Sequence, residues 1–169
     1  MYGFVNENGW RKLQDLKNYR ETIKKNVSTV LSQLADYAEG EPVKSEFNVK
    51  IGNIESDIIS FKSCFGEGRL VFSYSAATEN VEGRLIFQRE ILNENDERIW
   101  EETLCLHFPP FENPYGLSDN KQRVVIPVDR MDFSRRDFDF QCFAFLMSIL
   151  HTQLNGAPHS EGQSCKSEG

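Results

Sequence analysis

The sequence predicts an α+β fold: an antiparallel meander sheet of about four to six strands, with a long N-terminal helix and a buried C-terminal helix on one face. Between Gly68 and Phe108, apolar and polar residues alternate in three runs that short polar turns separate, a pattern typical of an antiparallel meander. On either side of this region, apolar residues recur at helical spacing, which predicts the two helices.

The three predicted strands are Arg69–Ser75, Arg84–Ile91 and Arg98–Phe108. The first two begin in nearly the same way, with Gly-Arg-Leu-Val-Phe at 68–72 and Gly-Arg-Leu-Ile-Phe at 83–87. Successive side chains of a strand point to opposite faces, so each run has one apolar and one polar face. We expect the apolar face to pack on the helices and the polar face to meet solvent, as antiparallel sheets allow.

Turns at Ala77–Asn80 and Asn93–Asp96 would set the register of this meander. Four pairs then lie opposite one another: Leu70 and Phe87, Phe72 and Leu85, Phe87 and Glu102, and Leu85 and Leu104. In this register we expect the buried face to carry Phe72, Phe87, Trp100 and Leu104, with Arg89 and Glu102 near its rim, where they could pair. We expect the exposed face to carry Ser73, Gln88, Glu101, Thr103 and His107.

A long amphipathic helix is predicted from Trp10 to Glu39, and Gly40 and Pro42 can end it. Its apolar stripe consists of Leu13, Leu16, Ile23, Val27, Val30, Leu34 and Tyr37. The segment 27–30 holds poor helix formers, so the helix could bend or break there. The same spacing fits a short heptad seam, so a homodimer through this helix is an alternative to packing on the chain's own sheet.

Further elements are predicted outside the meander. Glu46–Lys62 should contain a strand or two, and Val124–Val128 one more strand, which should lie at a sheet edge because Pro127 has no N–H. Ser134 has the position of an N-cap. The helix after it is apolar on nearly all sides as far as Leu154, so we expect it to be the most buried element.

The length of 169 residues predicts one domain, residues 1–154, followed by a disordered tail at 155–169 that is poor in apolar residues. The net charge of −7 argues against binding to nucleic acid or to an anionic membrane, since both need a basic surface. No apolar run has the length of a signal peptide or a membrane span, and the four cysteines have no paired spacing. We therefore expect a cytoplasmic protein with reduced thiols.

Charge is unevenly distributed along the chain. Residues 10–39 carry six Lys or Arg against four Asp or Glu, whereas residues 41–120 carry seven against fifteen. The acidity therefore belongs to the meander and its loops. Such a surface serves solubility, or it meets a basic partner.

Residue patterns of known catalytic or metal sites do not occur, so no cofactor and no metal are expected. Cys105 and His107 are two apart on one strand, about 6.5–7 Å from each other, too far for a nucleophile and its base to touch. Glu90 and Glu101 share a predicted face, but a pair of catalytic carboxylates needs a cleft. Long loops such as Pro109–Asn120 are often functional.

The sequence thus favours a non-enzymatic, acidic protein-binding module. It would be an inhibitor or immunity-type protein that neutralises a basic protein partner, by analogy with that class and not by a likeness in residues. The predicted contact residues lie on the polar face and the hairpin tip beside it: Glu90, Glu94, Asp96, Glu97, Glu101, Thr103 and His107. Two alternatives remain open: a dimeric secretion or assembly chaperone, and an enzyme of unfamiliar type at the loop 109–120 and the polar face.

Overall fold

The computed structural model describes residues 7–76, 81–129 and 135–156. Within them, one antiparallel sheet contains seven strands that follow one another in chain order. The helices are α1 (Glu7–Glu39), α2 (Val43–Phe47) and α3 (Arg135–Gly156). The strands are β1 (Lys50–Ile51), β2 (Ile58–Ser63), β3 (Gly66–Ser75), β4 (Glu82–Leu92), β5 (Arg98–Phe108), β6 (Tyr115–Leu117) and β7 (Arg123–Val125).

The predicted α+β class is confirmed, with more strands than expected. The added strands are short: β1 has two residues, and β6 has three within the segment predicted as the loop 109–120. Strands of this length show no alternation that a sequence pattern could reveal. The expected edge strand is β7, which ends at Val125, so Pro127 follows the strand and removes no hydrogen bond from the sheet.

The core lies between the helices and one face of the sheet. Buried residues of α1 (Ile23, Val27, Val30, Leu31, Leu34) and of α3 (Cys142, Leu146, Ile149) form a single cluster with Leu70, Leu85, Phe87 and Leu106 of the strands. The α1 helix runs unbroken through 27–30, where a bend was considered. Val27 and Val30 are buried there, and packing of this kind outweighs weak helix propensity.

The two similar phrases pack against each other across β3 and β4. Leu70 lies opposite Phe87, and Phe72 opposite Leu85, which confirms the predicted register, although Ala77–Asn80 lies outside the described residues. A Cβ atom on Gly68 would come within 2.5 Å of the Phe87 ring, and one on Gly83 within 3.0 Å of the Phe72 ring. The glycine of each phrase therefore makes room for the phenylalanine of the other.

The predicted register between β4 and β5 is wrong. Phe87 lies opposite Leu104 rather than Glu102, and Leu85 opposite Leu106 rather than Leu104. One residue of the difference comes from the turn, because Leu92 pairs with Arg98 and leaves 93–97 as the loop. The other comes from a bulge between Phe87 and Gln88.

The turn is longer than predicted because the side chain of Asn93 organises it. Its Oδ1 accepts hydrogen bonds from the backbone N–H groups of Asn95 and Glu97, each at 2.9 Å. Asp96 adopts a left-handed conformation with φ 60°, which aspartate tolerates better than most residues. A four-residue turn lacks room for this arrangement.

Near the hairpin tip the shifted register exchanges the two faces of β5. Glu101 lies on the helix face, where its Oε2 is 2.6 Å from Nε of Arg89, so Arg89 pairs with Glu101 and not with Glu102. Trp100 lies on the opposite face, 39% exposed, with the Arg69 guanidinium 4.3 Å from its ring centre. The expectation that Trp100 faces the core and Glu101 the polar face is therefore wrong, although the Glu101 side chain is still 41% exposed.

α3 is buried on one side only, which corrects the expectation that a helix apolar on nearly all sides would be the most buried element. Cys142, Leu146 and Ile149 are fully covered, whereas Phe140 is 65% and Leu154 50% exposed. Ser134 and the tail 157–169 lie outside the described residues. The last turns are anchored to the sheet: Arg89 Nη1 donates to the Thr152 carbonyl at 2.6 Å, and Ser63 Oγ donates to Gln153 Oε1 at 2.6 Å.

The glycine–phenylalanine packing predicts the cost of a single methyl group. Gly68→Ala should lower the free energy of unfolding by about 1–3 kcal/mol, because the Phe87 ring must move in a filled core. The double variant Gly68→Ala, Phe87→Leu should cost less than the sum of the two single changes. Urea unfolding measures both, with Ser73→Ala on the opposite face of β3 as control. Strict additivity would show that the methyl group does not meet the ring.

The one-sided burial of α3 predicts unequal effects of two truncations. Leu146→Ala should cost about 2–5 kcal/mol, since the residue is fully buried. Phe140→Ala should change stability by less than about 0.5 kcal/mol, since its ring is mostly exposed. Chemical denaturation of both variants tests this, and equal losses would contradict the placement of α3.

Candidate functional site

The seven residues predicted as a contact surface lie in four places. Glu94, Asp96 and Glu97 are exposed in the β4–β5 turn, here called the acidic tip. Glu90 and His107 lie on the sheet face away from the helices, here called the open face, near opposite ends of the sheet. Glu101 is on the helix face, and Thr103 is at the bulge, where its hydroxyl lies 3.4 Å from the Phe87 carbonyl.

Three carboxylates of the open face and its surroundings have cationic partners, whereas Glu102 accepts a hydrogen bond from the neutral Gln88 amide at 3.2 Å. Three arginines lie within ion-pair distance of a glutamate: Arg84 of Glu82 at 3.1 Å, Arg98 of Glu90 at 3.4 Å, and Arg123 of Glu112 at 3.3 Å. The open face is thus close to charge-balanced and less acidic than the sequence suggested.

The acidic tip differs from the open face. Among the described residues, Glu94, Asp96 and Glu97 make no ion pair, and Glu97 Oε2 accepts a hydrogen bond from the neutral Asn93 amide at 3.0 Å. All three side chains are exposed. Three exposed carboxylates without ion pairs among the described residues therefore lie together at this end of the hairpin.

His107 belongs to a buried polar cluster on the open face. Its Nδ1 lies 2.9 Å from Oε1 of Glu82, whose side chain is 7% exposed, and its ring stacks on Tyr115 at 4.9 Å. Arg123 lies over the other face of the Tyr115 ring, 4.2 Å from its centre. Burial, and secondarily the charge of Glu82, raises the pKa of the Tyr115 hydroxyl. The cluster ties β4, β5, β6 and β7 together, and His107 is less exposed than predicted.

Cys105 is poorly suited to nucleophilic chemistry. Burial raises the pKa of its thiol to about 11, so the reactive thiolate is scarce near neutral pH. In the part of the chain that the structure describes, no group of three or more His, Cys, Asp or Glu side chains is arranged to hold a metal ion. In the same residues, no helix is long and apolar enough to cross a membrane.

The outer edge of β5 is open over most of its length. β6 pairs with β5 only at Leu106 and His107, and no other described backbone group bonds to this side of Arg98–Cys105. Beyond Gly116 the β6–β7 hairpin diverges from β5 and leaves a cleft of about 520 Å³. Thr103 and Cys105 line it on one side, Ser118 and Asp119 on another, and Ala144 and Ser148 of α3 at the back.

The sequence singled out Thr103, Cys105, His107 and the loop 109–120, all of which contribute to this cleft, but it did not predict the cleft itself. The cleft exists because β6 is three residues long and separates early from an eleven-residue strand. Its back wall comes from α3, some forty residues further along the chain. A pattern within either segment gives no sign that the two meet.

Comparisons with protein-family models, with curated proteins and with solved structures found no match to this chain.

The buried thiols predict selective alkylation. With iodoacetamide at pH 7.5, the exposed Cys64 should react, whereas Cys105 and Cys142 should stay unmodified in the native protein, since burial raises the pKa of their thiols to about 11 and about 12. Labelling of Cys105 should increase only as the pH approaches its raised pKa. Peptide mass spectrometry reads out each site, with urea-unfolded protein as the fully labelled control. Rapid labelling of Cys105 at pH 7.5 would overturn the assignment of an inert thiol.

Proposed function

We propose that the protein is a non-enzymatic protein-binding module whose acidic tip contacts a basic protein partner. One observation carries the proposal: Glu94, Asp96 and Glu97 are exposed and without ion pairs among the described residues, whereas Glu82, Glu90 and Glu101 of the neighbouring strands are each paired with an arginine. A group of like charges at the end of a hairpin attracts an oppositely charged protein and speeds its association.

The tip is held in shape before any partner arrives. The side chain of Asn93 bonds to the backbone at Asn95 and Glu97, and the Asn93 N–H donates to the Glu97 carbonyl at 2.9 Å. A loop ordered in advance loses little conformational entropy on binding. The loop geometry therefore supports a recognition role for the three carboxylates.

The finer parts of the proposal concern the biological setting. We propose an inhibitor or immunity-type role, in which the protein neutralises its basic partner in the cytoplasm. For the cytoplasmic setting, the support is the absence of paired cysteine spacing in the sequence; the inhibitor or immunity-type role is an analogy with small acidic proteins of that class.

A second candidate function is a dimeric secretion or assembly chaperone. The N-terminal part of α1 favours it, because Trp10 is 59% and Leu13 53% exposed, ahead of the first buried residue at Ile23. Apolar side chains on this part of a helix can form a seam with a second copy. Analytical ultracentrifugation of wild type and of Leu13→Glu separates the candidates: a dimer that Leu13→Glu dissociates supports the chaperone.

The acidic tip predicts salt-dependent binding. The variant Glu94→Gln, Asp96→Asn, Glu97→Gln should fold normally, associate several-fold more slowly with the partner at low salt, and approach wild type at high salt. Its matched control changes three exposed glutamates elsewhere: Glu21→Gln, Glu46→Gln, Glu55→Gln.

The partner is obtained by affinity capture from source cells, with wild type, tip variant and control as baits. Proteins held by wild type and control but released by the tip variant are purified for association kinetics at two ionic strengths. Equal on-rates for all three baits at low salt would reduce the acidity to a solubility feature and refute the proposal.

A further inference from the structure

We propose that the open edge of β5, residues 98–105, binds an extended basic segment of the partner as an added strand of the sheet. The inference rests on the proposed function in its choice of a basic partner. It goes further by naming a second contact surface, its hydrogen-bonding mode and the conformation of the bound segment.

Unpaired backbone groups are the first argument. β5 is eleven residues long, but β6 pairs with only Leu106 and His107, so within the described part of the chain the eight residues 98–105 face no strand on that side. An exposed strand edge of this length is a template for another chain, and peptide addition to sheet edges is a common mode of recognition. Backbone bonds then supply affinity, and alternate side chains supply specificity.

Space beside the edge is the second argument. The cleft of about 520 Å³ lies along Thr103–Leu106, between the β6–β7 hairpin and α3. Its walls include the small residues Gly116, Ala144 and Ser148, so no bulky group at these positions blocks the approach of a backbone. The hairpin wall is held by backbone bonds from Ser118 to Gln122 and from Lys121 to Ser118, at 2.9 and 2.8 Å.

The third argument is the negative charge along this edge, which favours a basic segment as the added strand. The segment 94–105 carries five acidic residues and one basic residue, Arg98, which already pairs with Glu90. Glu102 lies on the open face with the exposed Trp100, and Asp119 lines the far wall of the cleft. A lysine of an added strand would meet Glu102, and its alkyl chain or ammonium group would lie near the Trp100 ring.

The same charge disfavours a second copy of this chain as the occupant. Pairing two β5 edges would bring two acidic strips together, with like charges on neighbouring strands, which is destabilising. Proteins use charged edge residues to prevent such self-association. An acidic edge that repels itself remains available to a basic strand.

The test uses the full chain and four acetylated nonapeptide probes. The first alternates lysine with valine or threonine. The second and third probes have the same sequence but carry N-methyl groups, one at every lysine and the other at every valine and threonine. Because alternate backbone N–H groups of a strand point to the same edge, one of these two probes lacks the donors that would face β5. The fourth has glutamate in place of lysine. Binding is measured by calorimetry, and amide hydrogen exchange reports protection along β5.

The lysine probe should bind, protect amides within 98–105, and lose affinity about tenfold or more with one of the two N-methylated versions. The glutamate probe should not bind. Ala144→Trp, which fills the cleft from α3, should weaken binding to a similar degree, whereas Gln14→Trp on the exposed side of α1 should not. The N-methylated probes are compared on the wild-type chain, so this comparison tests strand addition even if Ala144→Trp disturbs folding.

Absence of binding by the lysine probe would overturn the inference, and so would equal binding of the lysine probe and both N-methylated probes. It would also fall if residues 98–105 were already protected in the free protein and lost that protection on deletion of 157–169 or on dilution. The last would assign the edge to the chain's own tail or to a second copy. The tip variant separates the two proposals. If it weakens a binding that N-methylation leaves unchanged, the acidic tip stands and strand addition falls; if N-methylation weakens a binding that the tip variant leaves unchanged, strand addition stands and the tip proposal falls. Equal binding of the lysine and glutamate probes would overturn the choice of a basic segment.

Discussion

The packing between Gly68 and Phe87, and between Gly83 and Phe72, is the constraint on which the rest of the structure depends. Each glycine occupies a position where a Cβ atom would meet an aromatic ring of the neighbouring strand. The Gly83 position also faces Ile23 of α1, whose Cγ2 would lie 2.5 Å from an added Cβ. One arrangement thus fixes the register of β3 against β4 and the distance at which α1 crosses the sheet.

From β3 and β4 toward β5 and β6, the strand pairing becomes less regular. β4 and β5 remain paired over their whole length, but a bulge between Phe87 and Gln88 interrupts the register. The bulge turns the side chains of β5 on the turn side of it, residues 98–102, to the opposite faces. The bulge brings Glu101 to Arg89 on the helix side and leaves Trp100 and Glu102 outside. Arg89 in turn bonds to the last turns of α3 at Thr152. The irregularity therefore helps to anchor a helix and also shapes the exposed edge.

Charge in this protein is sorted by position. On the sheet, Glu90 and Glu101 each form an ion pair with an arginine. The buried Glu82 contacts both Arg84 and His107. Burying a carboxylate costs free energy unless such partners are present. At the tip, solvent makes such partners unnecessary, and Glu94, Asp96 and Glu97 are exposed without ion pairs among the described residues.

The sequence by itself determined the α+β class, the two long helices, the three main strands and the β3–β4 register. These follow from local periodicity, since helices and strands repeat their apolar positions at different spacings. Only the tertiary structure decided the β4–β5 register, because the side chain of Asn93 lengthens the turn and the bulge adds a further residue.

The tertiary structure also decided which side of α3 is buried, because a helix that is apolar all round carries no signal of its orientation. The seven residues that the sequence grouped as one surface lie in four places, since a slip of one residue moves a side chain to the other face. The cleft arises where β5 and the β6–β7 hairpin meet α3, which lies some forty residues beyond β5, and contact across such a distance leaves no local pattern to read.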